Sequence, residues 1–196
     1  MNEPIKTLLD FVSFTHEIRK VKRAMWVLDE DQFENDSEHG YQLALTALFV
    51  IEEKNLNLNA LHAMGLALVH DVLEVHAGDT PVYGNQAHIQ TQKARETEAI
   101  MELKRQWPQM QLMHELIDEY EARDTNESKF IYALDKLLPI LNNYLDEGRN
   151  WIRQGVSLDQ LIAVKRGKID LDPAIHDYYA QSLALLRNKP EFFASN

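Results

Sequence analysis

The chain has 196 residues, 45% hydrophobic and 26% charged, with a formal net charge of −11 and no cysteine. That length suits one domain with a full core. The acidic balance excludes polymeric nucleic acid and anionic membrane as partners held by charge alone, and the missing cysteines exclude disulfides, thiolate metal sites and cysteine nucleophiles.

A small phosphate ester is not excluded, because one metal ion and one or two Arg or Lys can reverse the local field. No stretch approaches the roughly 20 apolar residues of a membrane span. The start, Met1 to Lys6, lacks the basic and apolar blocks of a signal peptide. A cytoplasmic protein is the simplest expectation.

Helical periodicity dominates and strand alternation is nearly absent, so an all-α bundle of about eight helices is expected. The first helix covers Ile5 to Ile18, and a less regular stretch follows from Arg19 to Phe33. The next helix starts near Ser37 and ends near Lys54. Asn35, Asp36 and Ser37 are all good N-caps there, and Glu38 completes a capping box with Asn35. A helix from Asn59 to His76 is apolar nearly all round and is expected to be central and buried. Gly78 to Asn85 reads as a loop. A polar helix from Ala87 to Trp107 is expected to face solvent. Helices from Gln109 to Ala122 and from Asn126 to Glu147 follow, then shorter ones from Ser157 to Lys165 and from Pro173 to Asn188. The whole of 1–196 reads as a single domain, with a core of 20–150 and C-terminal helices in 151–196 packed on it.

The chemistry concentrates in His70-Asp71-Val72-Leu73-Glu74, followed by Gly78-Asp79-Thr80-Pro81. Unpaired ionisable groups in an apolar helix would cost several kcal/mol each, roughly, and a divalent metal is an economical reason for them. On a helix, His70 and Glu74 share a face and Asp71 lies about 100° round from His70. His70 and Asp71 reach one point, with Glu74 one turn on. Other ligands must come from elsewhere. His39 lies in the first turn of a helix whose face continues through Leu43, Thr46 and Val50 and looks inward. Asp135 sits among Ile131, Leu134 and Leu138, where a carboxylate should be neutral or paired. Pro139, four residues on, should kink that helix. A lone histidine on an apolar helix face is ordinarily a hydrogen-bonded core residue, and a lone helical Asp is ordinarily solvated or capping. His16, His62, His76, His88, His114 and His176 show no matching spacing and take that bland role.

Ser37-Glu38-His39, His70-Asp71 and Asp135 together resemble the H…HD…D signature of the HD-domain metal-dependent phosphohydrolases. Asn35 to His39 resembles that family's E-N-x-[SA]-E-H segment. His70 to Pro81 resembles the H-D-x-x-E-x-x-x-G-D-x-P segment of the branch containing the YfbR-type and HD-domain-containing protein 2-type 5′-deoxynucleotidases. Lys129-Phe130 and Ala133 to Leu137 resemble the same branch's K-F-x-x-x-L-D stretch. The likeness covers about residues 20–150.

The resemblance implies an all-α HD-domain helical bundle around a single divalent metal, with His39, His70, Asp71 and Asp135 as ligands. Mixed N/O ligation suits Mn, Co, Ni, Fe or Zn, with Mg also in the set, and softness does not choose among them. It also implies Glu74 and Asp79 as catalytic carboxylates that work on water and leaving group. Arg23 and Trp26 fall where relatives carry an Arg and a Trp near the nucleotide. The branch often places basic residues before its E-N block, and this chain has Gln32-Phe33 there.

The leading expectation is hydrolysis of a nucleoside or deoxynucleoside 5′-monophosphate by a cytoplasmic homodimer. Arg23 would grip phosphate, Trp26 would pack on sugar or base, and Gly78 would let the loop approach the phosphate. A phosphodiesterase or nucleoside triphosphate hydrolase on the same fold is one alternative. Triphosphate hydrolysis would want more basic residues around the pocket than the linear sequence places there. An acidic, metal-stabilised binding module is another, against which Glu74 and Asp79 count.

Overall fold

The computed structural model describes residues 3–194; Met1, Asn2, Ser195 and Asn196, part of the terminal stretches read above, lie outside the described residues. Helix α1 (Glu3–Ile18) leads into two short strands, β1 (Lys22–Trp26) and β2 (Phe33–Asn35). They pair antiparallel, with Lys22 opposite Asn35 and Trp26 opposite Phe33, and the register shifts between. The less regular stretch is therefore a small hairpin, too short and too irregular for a period-2 signal. The chain continues through α2 (Asp36–Glu53), α3 (Ala60–Val69), α4 (Glu74–Ala77), α5 (Gln86–Gln106), α6 (Gln111–Ala122) and α7 (Asn126–Leu145). Helices α8 (Arg149–Gln154), α9 (Leu158–Lys165) and α10 (Pro173–Leu186) follow, with a 3-10 turn at Ile169–Leu171 between the last two. The expected helical bundle is present, and no helix among the described residues is long and apolar enough to cross a membrane.

Helix α7 is the axis of the core, and its row of Phe130, Ile131, Leu134, Leu137, Leu138 and Ile140 is buried. Leu43, Ala47 and Val50 of α2 and Ala63, Leu66 and Ala67 of α3 pack on it. The two helices run close at Gly40, where even a Cβ would lie in ordinary contact, 3.5 Å, with the Ala67 carbonyl oxygen. The same core takes in Trp151, Leu161, Ile169, Ile175, Leu186, Phe192 and Phe193. Trp151 stacks on Phe193 at 4.8 Å. A second apolar cluster joins Phe14, Leu73, Leu103, Trp107 and Ile117 beneath α1, α5 and α6. Helix α5 buries only Ala99 and Leu103, so its polar character does leave it on the surface.

Two expectations need correction. The apolar stretch Asn59–His76 is not one buried helix. Helix α3 ends at Val69, the next residues tighten into i→i+3 turns (Val72 N–H to Val69 O, Glu74 N–H to Asp71 O), and α4 starts afresh at Glu74. The helix breaks where His70 and Asp71 enter ionic contacts, so side-chain pairing outweighs local helical preference there. Nor is α3 covered all round: Leu61 is 80% and Leu68 57% exposed. The most buried helix is α7.

Candidate metal centre and its cavity

Asn35 sets the approach to the site. Its side chain accepts from the backbone N–H of Ser37 and Glu38, and the Glu38 carboxylate accepts from Asn35 N–H. This capping box starts α2 at Asp36 and turns His39 inward in the first turn, where it is 1% exposed. Asp135 comes from the middle of α7, and His70 from the residue that caps α3.

These three side chains converge. One ligand atom each from His39, His70 and Asp135 lies within 4.8 Å of the others, all buried, so the cluster could hold a metal ion. His39 Nε2 is 3.0 Å and His70 Nε2 3.8 Å from Asp135 Oδ1. Asp71 is close beside them, its Oδ2 2.9 Å from His70 Nε2 and 4.0 Å from His39 Nε2. His70 Nδ1 is 2.8 Å from the Ala67 carbonyl, to which it donates, which turns Nε2 toward the carboxylates. That Nε2 is buried and is not aligned for a hydrogen bond to Asp71 despite its proximity. An orphaned imidazole nitrogen among carboxylate oxygens fits a divalent cation, the usual partner of such a donor set.

Charge is distributed unevenly. Burial, with Arg23 nearby, pushes His39 down to about 4, which keeps its imidazole neutral. Burial also opposes charge on His70, but Asp71 and Asp135 outweigh it and raise its pKa. Burial works against ionised Asp135 too, and Lys136 and His39 more than compensate, so it stays anionic. Asp135 Oδ2 accepts from the Tyr120 hydroxyl at 3.0 Å and from Lys136 Nζ at 2.5 Å. Burial, then Asp71, Asp36 and Asp79, push the Glu74 carboxyl well up, and one of its oxygens has no partner. Burial also raises Asp79, against the pull of Arg23.

Arg23 holds this acidic group together. Its Nη1 lies 2.5 Å from Asp71 Oδ2 and 3.4 Å from Asp36 Oδ1, and its Nε 3.4 Å from Glu34 Oε2. Burial, moderated by Arg23, leaves Glu34 at about 7.

Two cavities meet at the site. The larger, about 390 Å³, is lined by His70, Asp71, Glu74, Asp79 and Asp135, and by the bases Lys93, Arg123, Lys136, Lys165 and Lys168. The smaller, about 100 Å³, shares Arg23, Asp79 and Lys165 with it and has walls of Tyr83, Pro139 and Trp151. Pro139 lies inside α7, which runs on through it to Leu145. Gly78, at φ +72 and ψ 145, a backbone conformation that favours glycine, ends α4 and starts the Asp79 loop.

Arg23, His39, His70, Asp71, Glu74, Asp79 and Asp135 thus share one neighbourhood. Trp26 does not. It lines neither cavity, but packs on Phe33 at 4.4 Å between the guanidinium groups of Arg149 and Arg153. The aromatic residues at the cavities are Tyr83, Tyr120, Tyr132 and Trp151. The sequence reading also missed the basic wall, because Lys93, Arg123, Lys165 and Lys168 come from separate segments without a shared spacing. Lys136, adjacent to Asp135, was the one with a local signal.

The comparisons agree with this geometry. The model of the HD domain family matches residues 15–175. A 5′-deoxynucleotidase HDDC2 of Bos taurus is 33% identical over 139 residues, 69% of this chain and 66% of the relative. The Xenopus laevis protein of that name is 34% identical over 140 residues, 69% of this chain and 67% of its own. The matched segment thus spans about two-thirds of those relatives' length. A structure described as a predicted metal-dependent phosphohydrolase of Magnetospirillum magnetotacticum MS-1 superposes with a TM-score of 0.81 at 26% identity, covering 97% of this chain and 96% of the other. With most of its length matched by the family model, and the motif residues converging in space, the chain belongs to the HD domain family.

Proposed function

We propose that this protein is a metal-dependent phosphohydrolase that releases phosphate from a nucleoside or deoxynucleoside 5′-monophosphate. The carrying observation is the buried His39–His70–Asp135 donor set, beside a cavity that also holds the carboxyl groups of Glu74 and Asp79. The 5′-deoxynucleotidase relatives support the substrate class. His39, His70 and Asp135, with Asp71 as a fourth ligand, would hold one divalent ion of the set Mn, Co, Ni, Fe, Zn or Mg, supplying charge neutralisation at phosphorus and a more acidic bound water.

The chain's own groups then divide the proton work. Glu74 keeps its proton in the metal-free site, where burial and neighbouring carboxylates raise its pKa, and once ionised beside a bound dication it would take the proton of the attacking water. Asp79, whose pKa burial raises, would give a proton to the leaving 5′ oxygen as the P–O bond breaks. Nucleoside and inorganic phosphate result. Arg23 is committed to Asp71, Asp36 and Glu34, and serves to hold Asp71 in place.

The core shared by α7 and the C-terminal helices supports reading the chain as one catalytic unit. Exposed Tyr41, Leu45 and Phe49, spaced by four on one face of α2, support a homodimer. A cytoplasmic location suits a nucleoside monophosphate substrate. The test is phosphate release from a nucleotide panel after chelation and metal re-addition. Equal release without metal would refute the mechanism. Pyrophosphate or triphosphate as product would move the assignment to the triphosphate reading.

A further inference from the structure

The larger cavity carries positive charge that its own carboxylates do not use. Arg23 is taken by three carboxylates. Lys93 donates to Glu121, which also lies 3.9 Å from Arg123, and Lys136 donates to Asp135. Lys165 and Lys168 differ. Lys165 is 6% exposed, and its ammonium donates to the neutral carbonyl of Lys136 at 2.7 Å. Among the described residues it has no carboxylate partner, and the Lys168 side chain has neither an ion pair nor a hydrogen bond.

Packing, not charge, holds this pair in place. Lys165 is the last residue of α9, and Lys168 caps the 3-10 turn whose Ile169 is fully buried in the core. Both line the cavity that contains Asp135 and Glu74. Burial and Lys136 push the Lys165 amine down to about 7, and burial and Lys136 lower Lys168 as well. Asp135 favours charge on both, but it already pairs with Lys136 and His39, and gathering cations so weakly balanced is unfavourable unless an anion meets them.

We infer that Lys165 and Lys168 form an anion clamp for the non-reacting oxygens of the substrate's phosphate, a role the ion-paired Arg23 is not free to fill. The inference rests on the phosphohydrolase reading of the same site. Its ligand class is a phosphate monoester dianion, and inorganic phosphate is the simplest member to probe.

The experiment is calorimetric titration of inorganic phosphate into the metal-loaded protein, beside steady-state kinetics on a nucleoside monophosphate. Lys168→Ala and Lys165→Met are each expected to weaken phosphate binding about tenfold, the scale of one charge-assisted hydrogen bond. KM rises to match while kcat changes little. Lys168→Arg restores binding, and the surface control Lys104→Ala leaves it unchanged. Should Lys165→Met fail to fold, the half-exposed Lys168 decides alone. Wild-type phosphate affinity in Lys168→Ala, or no phosphate binding by the wild type, overturns the clamp. Lys168-dependent phosphate binding without hydrolysis of any monoester would leave the clamp standing and remove the nucleotidase reading.

Discussion

His70 Nε2 lies 2.9 Å from Asp71 Oδ2 while the opposite ring nitrogen donates to the Ala67 carbonyl at 2.8 Å. A proton on Nε2 and a metal ion beside it are therefore alternatives. Asp71 and Asp135 overcome burial and raise the His70 pKa, so the metal-free site retains that proton to higher pH than an ordinary histidine would. Metal binding must expel it. Titrating metal into the protein in buffers of different ionisation enthalpy should show proton release, with affinity rising as pH rises through the His70 pKa. Proton-neutral, pH-independent binding would contradict this arrangement.

Asp135 is the acceptor shared by His39, Tyr120 and Lys136. Asp135→Asn should abolish tight metal binding and also destabilise the chelated protein by about 3 kcal/mol, the scale for breaking a buried charge pair. The folded-state pKa of Asp135 is depressed below its ordinary 3.8. Its stabilisation is thus present above that value and lost as pH falls below it. Denaturant melts in chelator across pH 3 to 7 should show wild type and variant converging at the acid end.

Glu74 has a buried carboxyl oxygen with no protein partner and is not one of the three clustered donors. Glu74→Ala should fold and bind metal like the wild type, yet lose turnover by about 10²–10⁴-fold, the usual share of a positioned proton acceptor. Undiminished turnover would remove Glu74 from the proton-transfer role, and a wild type that binds metal without turnover would return the protein to the class of metal-stabilised binding modules.

Gly148 joins α7 to α8 at φ +73, and a Cβ there would collide with the backbone of Phe192. Gly148→Ala combines left-handed strain with that clash. A loss of about 2 kcal/mol or more is expected, read as a lower thermal midpoint. Because Phe192 and Phe193 belong to the core around α7, the whole chain should melt earlier in one transition. A separate early transition of the C-terminal helices would contradict the one-unit reading.

Much of the fold was legible locally. The Asn35 capping box, the Gly78 stop and the apolar rows of α2 and α7 are patterns within one or two helical turns, and helices are built from such contacts. The metal-ligand candidates were legible as an out-of-place His-Asp pair, an inward His39 and an unexpected carboxylate at Asp135. Hairpin β1–β2 was not, because its short strands are held by long-range packing, including Asn150 Nδ2 donating to the Ala24 carbonyl at 2.8 Å.

The amino-acid sequence by itself determined the helical class and which ionisable residues had to be reconciled with an apolar core. Tertiary structure alone decided the break after Val69, the triple pairing of Arg23, the exclusion of Trp26 from the cavities and the arrival of Lys165 and Lys168 in them. The physical reason is range. Capping and periodic burial act between residues three or four apart, whereas the desolvation and pairing of charge depend on every group brought within a few ångströms, whatever its distance along the chain.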